Sequence, residues 1–209
     1  TDQEVRDLIY YLGRPGQTPL LATPETSNLF FNEHDLALWQ GDEEVWGVRE
    51  GLLVGRHTPG RGPSVLRSEM VASDFRLAFE ARVPGPGTVL ELVVRGEPQD
   101  GGVGKGYAIP LGPGPWKGLR AEGGRELEGA RAPSAVAREI RAGEWGRWEV
   151  VAEGNHLRVR REGQTWAEVS DPAGPRRGIT ALRLSGGGGV ELRRLALEAK
   201  GGSTEAVPR

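Results

Sequence analysis

The sequence predicts an all-β protein in which two antiparallel sheets pack as a β-sandwich or jelly roll, preceded by one short helix. Two observations predict this class. The chain has 33 Gly and 15 Pro among its 209 residues, a density that helical bundles and coiled coils do not tolerate. From Leu29 onward, apolar residues recur with a period of two, which is the side-chain period of a half-buried strand.

An amphipathic helix is predicted at residues 1–13. Thr1 and Glu4 have the spacing of a capping box, in which the two side chains satisfy each other's backbone amides. One apolar stripe follows at helical spacing and consists of Val5, Leu8, Ile9 and Leu12. Gly13 can end the helix, and a helix this short is marginal in water unless it docks on a partner.

Composition divides the rest of the chain into three parts. Residues 14–27 contain three Pro and many small polar residues, a composition typical of an extended linker. Residues 28–199 carry the strand signals and are predicted to form the sandwich domain. Residues 200–209 are predicted to be a flexible C-terminal tail.

Strand and turn signals follow one another through the sandwich domain. Residues 75–83 alternate apolar and polar side chains, and residues 89–95 form a nearly continuous apolar run that predicts a central strand. Two-residue turns at Gly154-Asn155 and Glu162-Gly163 predict successive hairpins. A β-bulge is predicted at Arg193-Arg194, because the apolar positions change parity there.

Charge and cysteine content exclude several classes of function. The 27 Lys and Arg residues are balanced by 29 Asp and Glu residues, so the basic excess that nucleic-acid binding needs is absent. The chain has no Cys, which excludes disulfides, thiolate metal sites and covalent haem. Its three His residues are scattered, and we predict neither a metal site nor a cofactor. No run reaches the ~18 apolar residues of a transmembrane segment.

The tryptophans divide into two groups. Trp39, Trp46, Trp148 and Trp166 lie in strand-like runs and are predicted to be core residues. Trp116 lies in a loop rich in Gly and Pro. There it can stack on the face of a sugar or cap the edge of a sheet, and the sequence leaves both alternatives open.

Several segments, taken in order, resemble a known family. They are Leu29–Trp39, Trp46–Gly55, Ser73–Glu80 and Glu144–Val150, followed by Gly154-Asn155. Over about residues 28–199 the chain is similar to the DUF1080, or 3-keto-disaccharide hydrolase, domain family. The resemblance implies a concanavalin-like β-sandwich that cleaves 3-oxo-glycosides. It also implies an exported bacterial protein, so we expect a periplasmic or otherwise exported location.

The chain departs from the family pattern where the chemistry is expected. Family members carry Gly-Tyr-Glu-x-Gln on a strand of the cleft, whereas this chain has Ala108 and Pro110 at the Glu and Gln positions. A late strand with Leu-Gln-x-His-Gly in the family has Arg183 and Ser185 at the Gln and His positions. Each positioned acid–base group is worth roughly 100- to 10,000-fold in rate, so we expect a non-catalytic module. The residues predicted to contact a ligand in the cleft are Arg95, Tyr107, Trp116 and Arg183.

The expected role is that of an accessory or docking subunit for a protein partner. Residues 1–12 also resemble the last helix of small c-type cytochrome domains, which implies a cytochrome-containing membrane electron-transfer complex as the partner. One alternative, from the family resemblance alone, is a 3-keto-glycoside hydrolase with Glu91 or Glu122 as the acid. Another alternative is a carbohydrate-binding module that uses the same cleft.

Overall fold

The described part of the chain, residues 19–131 and 139–200 of this computed structural model, folds into two large β-sheets. Sheet A contains β1 (Leu20–Leu21), β2 (Trp39–Gln40), β5 (Ser64–Ala72), β7 (Val89–Gln99), β8 (Gly102–Gly104), β9 (Tyr107–Pro110), β11 (Arg120–Ala121) and β16 (Gly178–Ser185). Sheet B contains β3 (Trp46–Arg49), β4 (Leu52–His57), β6 (Phe75–Arg82), β13 (Gly146–Glu153), β14 (His156–Arg161), β15 (Gln164–Ser170) and β17 (Gly188–Ala199). The remaining elements are a two-stranded pair, β10 (Gly114–Pro115) with β12 (Glu139–Ile140), and a 3₁₀ turn at Ser27–Leu29.

Strand order places the predicted central strand near the middle of its sheet. Sheet A runs β1-β5-β16-β7-β9-β11, with β2 beside β5 and β8 beside β7. Sheet B runs β15-β14-β13-β6-β17-β4-β3. Apart from the parallel contact of β1 with β5, neighbouring strands in both sheets are antiparallel. The predicted all-β sandwich is therefore confirmed.

One apolar core fills the space between the sheets. In β6, Phe75, Leu77 and Phe79 are at most 2% exposed, whereas Arg76 lies on the opposite face. This alternation is the one that the sequence predicts, and burial of such side chains stabilises each by about 1.5–3 kcal/mol. The four predicted core tryptophans, Trp39, Trp46, Trp148 and Trp166, are all buried.

The predicted hairpins and bulge are present. Strands β13 and β14 pair on either side of Gly154-Asn155, and β14 and β15 pair on either side of Glu162-Gly163. The register between β17 and β6 shifts between Arg193 and Ala196, where Arg194 has a φ of 54°. The extra residue restores inward-facing parity to the last part of β17.

The two ends of the chain are described only in part. The predicted helix at residues 1–13, with Val5, Leu8, Ile9 and Leu12, lies outside the described residues. Within the predicted linker, Leu20–Leu21 pairs with Met70 and Val71 of β5. At the other end, the backbone N–H of Lys200 donates to the carbonyl of Asp74 at 2.9 Å. None of the described helices has the length and apolar character to span a membrane.

Candidate functional site

The face of sheet A that points away from sheet B carries the positions at which the chain departs from the family pattern. Arg183 of β16 pairs with Val65 of β5 on one side and with Glu91 of β7 on the other. Glu91 pairs in turn with Pro110 of β9. Because directly paired residues share a face of a sheet, these four form one row across the outer face of sheet A.

An ion-pair cluster forms around Glu91 and Arg183 of this row, and we call Glu91, Arg120, Glu122 and Arg183 the Arg183 cluster. Nη1 of Arg183 donates to Oε2 of Glu91 and to Oε1 of Glu122, each at 3.1 Å. Arg120 donates to the other oxygen of Glu91. Burial opposes the charge on Arg183, but the two carboxylates outweigh it, so the pKa of Arg183 is raised.

The chemistry open to these carboxylates is limited by their partners. The side chain of Glu91 is only 12% exposed, and both of its oxygens accept hydrogen bonds from arginine. Glu122 accepts a hydrogen bond from Arg183. The proposed acids of the hydrolase alternative are therefore bound to guanidinium groups rather than free to protonate a glycosidic oxygen.

Ala108 lies in the next row of the same face and is covered. It pairs with Val93 of β7 and Arg120 of β11, and it is 0% exposed. Together with Val93, Val103, Ile179 and Ala181 it forms a separate apolar cluster on this face. The position at which the family pattern has its Glu is thus closed off by protein.

The cover over Ala108 is the hairpin formed by β7 and β8. Val103 of β8 packs against the cluster, and it pairs with Pro98 on the extended end of β7. A Cβ added to Gly96 would lie 2.3 Å from a methyl carbon of Val103. Glycine at position 96 therefore lets the hairpin close on the sheet.

Two of the predicted ligand contacts are buried inside the protein. Arg95 is 1% exposed and donates to the carbonyls of Ser73 (2.7 Å from Nη2), Gly154 (2.6 Å) and Pro175 (3.3 Å). It also forms an ion pair with Asp74 at 3.1 Å. Contrary to the sequence prediction, Arg95 ties turns and loops together instead of facing a ligand.

Tyr107 is the second buried residue and lies in the core between the sheets, 2% exposed. Its hydroxyl donates to Oδ2 of Asp171 at 2.9 Å, and Nη1 of Arg125 donates to Oδ1 of Asp171 at 2.6 Å. Burial and the hydrogen bond to Asp171 raise the pKa of Tyr107 to about 12. Tyr107 therefore joins the strand to the loop after β15 and does not reach a ligand on the outer face.

The raised pKa of Tyr107 predicts a loss of stability at high pH. In the unfolded chain Tyr107 ionises near pH 10, whereas in the folded protein it ionises near pH 12. The stabilisation that comes from the protonated hydroxyl is complete below pH 10, and it is lost as the pH rises through the pKa of Tyr107 in the folded protein. We expect the free energy of unfolding to fall by about 2–3 kcal/mol more in wild type than in Tyr107→Phe over this interval. Urea titrations of both proteins at a series of pH values measure the difference, and identical pH profiles would contradict the assignment.

Trp116 caps the edge of the sandwich. Its indole N–H donates to the carbonyl of Pro110 at 3.0 Å, and its ring packs edge-on against Trp166 with centroids 5.3 Å apart. Trp166 makes the same kind of contact with Trp148 at 5.4 Å. The half-buried Trp116 is thus held by core aromatics, as in the sheet-edge alternative.

A groove of about 630 Å³ opens beside the Arg183 cluster. Its floor and rim come from the segment between β9 and residue 131, together with Arg183 of β16. The charged side chains among its described lining are Lys117, Arg120, Glu122, Arg125, Glu126, Arg131 and Arg183. Within the described residues, no group of three or more His, Asp or Glu side chains is arranged to hold a metal ion.

The outer face of sheet B has a different character, because its charges neutralise one another. Glu149 accepts hydrogen bonds from Arg76 at 2.7 Å and from Arg160 at 3.0 Å. Glu80 is bound by Arg193 and Arg194, each at 2.7 Å, and the hydrogen bond from Arg193 contributes most to lowering its pKa. Beside these ladders of ion pairs, a groove of about 1020 Å³ lies over β3, β4 and the start of β17, with Arg82 and Glu191 among its lining residues.

Sequence reasoning found part of this site. It named Arg183, Glu91 and Glu122, and the structure brings all three together. It missed Arg120 and the covering residue Val103, because both depend on which strands become neighbours. The only signal in the sequence was the glycine-rich turn before Val103, which indicates a hairpin but not where the hairpin lies.

Several solved structures share this fold. A putative glycosyl hydrolase from Parabacteroides distasonis has a TM-score of 0.62 at 15% identity, over 86% of this chain and 98% of that chain. The carbohydrate binding module CBM66 from Bacillus subtilis has a TM-score of 0.58 at 14% identity, over 78% and 97%. A Bacillus subtilis protein of unknown function with a galectin-like fold has a TM-score of 0.59 at 12% identity, over 78% and 90%. At these identities the similarity establishes the fold.

The sequence itself identifies the family. No curated protein matches the chain significantly. The family model of the 3-keto-alpha-glucoside-1,2-lyase-like domain, in contrast, matches residues 26–198. This range begins after β1, ends one residue before the end of β17 and includes the Arg183 cluster. The chain therefore belongs to the 3-keto-alpha-glucoside-1,2-lyase-like domain family.

Proposed function

We propose that this domain is a non-catalytic carbohydrate-binding module and that the outer face of sheet A is its binding face. The observation that carries the proposal is the Arg183 cluster, whose arginine–carboxylate pairs lie on the face where Ala108 and Ser185 stand at the acid–base positions of the family pattern. Members of this fold include a carbohydrate binding module, which supports the same assignment by analogy.

The non-catalytic part of the proposal rests on three positions of the outer face. Ala108 has no carboxylate and is 0% exposed beneath the hairpin. Pro110 has no side-chain amide, and Ser185 has no imidazole. Since a glycosidase needs a free proton donor at the leaving oxygen, these replacements remove the groups that would supply it.

The binding part rests on the groups that remain. Guanidinium groups donate several hydrogen bonds in a fixed plane, and carboxylates accept them. Sugar hydroxyls both donate and accept, so a surface with Arg183, Arg120 and Glu122 in fixed positions can satisfy them. Val65 and Pro110 add apolar surface at the two ends of the same row.

The test has two arms on one protein sample. A glycan array, followed by calorimetry on the strongest ligand, measures binding. Incubation with a 3-keto-glucoside and with 3-keto-trehalose measures sugar release. We expect saturable glycan binding and no release above buffer. Silence on the array would defeat the binding assignment, and release above buffer would defeat the non-catalytic one.

A second candidate is an exported accessory subunit that docks on a protein partner, such as a cytochrome-containing membrane complex. The observation in its favour is the pair Leu21 and Leu29, which are 56% and 48% exposed although both are large and apolar. They lie close in sequence to the amphipathic helix predicted at residues 1–13. Contiguous exposed apolar surface marks sites of protein contact, and the docking role requires Leu21 and Leu29 to join the predicted apolar stripe in such a surface.

Purification of native membranes in mild detergent, followed by mass spectrometry of intact complexes, tests this second candidate. We expect the double variant Leu21→Ser/Leu29→Ser to lose the partner, while Val89→Ser retains it. Val89 is a matched control because it is also apolar and 49% exposed, but lies on the outer face of sheet A. Recovery of wild type only as a free monomer outside the membrane fraction would contradict the docking role.

A further inference from the structure

We infer that the groove beside the Arg183 cluster binds the carboxylate of an acidic saccharide, so that the ligands of this domain are glycans that contain uronic acids. The inference rests on the proposed carbohydrate-binding function and specifies its ligand class. It follows from the charge of the groove, from the hydrogen-bond donors that remain open there, and from the carboxylates that lie among them.

The groove is locally basic in a chain that is slightly acidic. Its described lining contains five cationic side chains, Lys117, Arg120, Arg125, Arg131 and Arg183, against two acidic ones, Glu122 and Glu126. The whole chain, in contrast, has 27 basic and 29 acidic residues. Glu91 and Asp171 lie just outside this lining and pair with Arg120, Arg183 and Arg125, so the exposed Lys117 and Arg131 supply the positive charge that attracts an anion to this concave surface.

The two central guanidinium groups are held in place with donors to spare. Both hydrogens of Nη1 of Arg183 are used by Glu91 and Glu122, and one nitrogen of Arg120 is used by Glu91. Among the described residues, the other nitrogens of these two side chains have no hydrogen-bond partner. Glu91 thus fixes two arginines without exhausting their five N–H groups each, an arrangement that lowers the entropic cost of binding.

The rim adds further cations and is itself anchored. Lys117 and Arg131 have no ion-pair partner among the described residues, and both are exposed. Arg125 is different, because its bidentate contact with Asp171 holds the loop around the groove against the loop after β15. The open cations are therefore presented from a loop whose position is fixed by a buried carboxylate.

The two carboxylates select among anions. Glu122 and Glu126 repel a densely charged ligand such as a polyphosphate, but they can accept hydrogen bonds from hydroxyl groups. A uronic acid carries one planar carboxylate, which matches the fork of a guanidinium group, and several hydroxyls on the same ring. Its chemistry fits a groove whose lining contains both arginines and carboxylates.

Calorimetric titration with two uronate oligosaccharides, oligogalacturonate and oligomannuronate, tests the inference. The matched ligands are the same oligosaccharides with their carboxylates methyl-esterified, and neutral gluco-oligosaccharides are a third arm. We expect at least one free uronate to bind about tenfold or more tightly than its ester, and its affinity to fall between 50 and 200 mM salt, because charge contacts are screened.

The variant Lys117→Gln/Arg131→Gln adds the structural control. It removes two exposed cations, and we expect about tenfold weaker uronate binding with an unchanged unfolding midpoint. Arg147→Gln, an exposed cation on sheet B, should bind as wild type does. Equal binding of acid and ester, or an unaffected double variant, would overturn the inference. Binding of neutral glycans alone would overturn it while leaving the proposed function intact, whereas binding of no glycan would overturn both.

Discussion

Replacing Arg95 with Met will lower the free energy of unfolding by about 3–5 kcal/mol, the cost of removing one partner from a buried charged network. The guanidinium group is 1% exposed and contacts the carbonyls of Ser73, Gly154 and Pro175. Methionine fills a similar volume but donates no hydrogen bond. Each carbonyl left buried and unpaired costs about 1–3 kcal/mol, and Asp74 loses its ion pair as well.

Guanidinium chloride titrations monitored by tryptophan fluorescence measure this effect. Arg61→Met is the matched control, because Arg61 pairs with Glu44 at 3.3 Å but both side chains are more than half exposed. An exposed pair of this kind contributes about 0–1 kcal/mol. Arg95→Lys should be intermediate, since it keeps the charge and loses the fork. If the free energy of unfolding falls by less than about 1 kcal/mol in Arg95→Met, Arg95 does not hold these loops together.

Restoring the glutamate of the family pattern, by Ala108→Glu, will destabilise the protein by at least about 3 kcal/mol and will not produce hydrolysis. Ala108 is 0% exposed and is packed among Val93, Val103 and Ala181. A glutamate there must either bury an unpaired carboxylate or displace the hairpin. The loss of stability and the absence of hydrolysis both follow because the hairpin of β7 and β8 covers this position.

Ala108→Met separates the cost of overpacking from the cost of burying a charge, because it adds similar bulk without a charge. Overpacking alone costs about 1–3 kcal/mol, so Ala108→Met should lie between wild type and Ala108→Glu. Unfolding titrations and assays of 3-keto-glycoside cleavage on all three proteins provide the measurement. A stable Ala108→Glu protein that releases sugar would mean that the position opens into a working cleft.

The sequence predicted the parts of the fold that depend on local pattern. Alternation in β6 identifies its buried face, and the turn at Gly154-Asn155 predicts a hairpin, because both are set by neighbouring residues. The bulge at Arg193-Arg194 could be inferred for the same reason, as a change of parity within one strand. The family motifs then indicated the type of sandwich and the range of residues that forms it.

The parts that the sequence did not predict depend on register between distant segments. Arg95 follows an apolar run and was expected to face a ligand, but its φ of 52° ends the regular alternation of β7 at that residue. Its partners Ser73, Gly154 and Pro175 come from three separate turns or loops. Likewise, the ion pairs between Arg183 and two glutamates need three strands or loops to meet, which periodicity alone cannot indicate.

Mapping of a bound oligosaccharide by backbone amide chemical shifts tests the central claim most directly. Isotope-labelled protein is titrated with the strongest glycan ligand from the array, and the perturbed amides are assigned to the two outer faces. The account predicts that the largest saturable shifts occur at Glu91 and Arg183 of sheet A and at Glu122 beside it. Shifts confined to the ladder of Arg76, Glu149 and Arg160 on sheet B, with none in the Arg183 cluster, would contradict it.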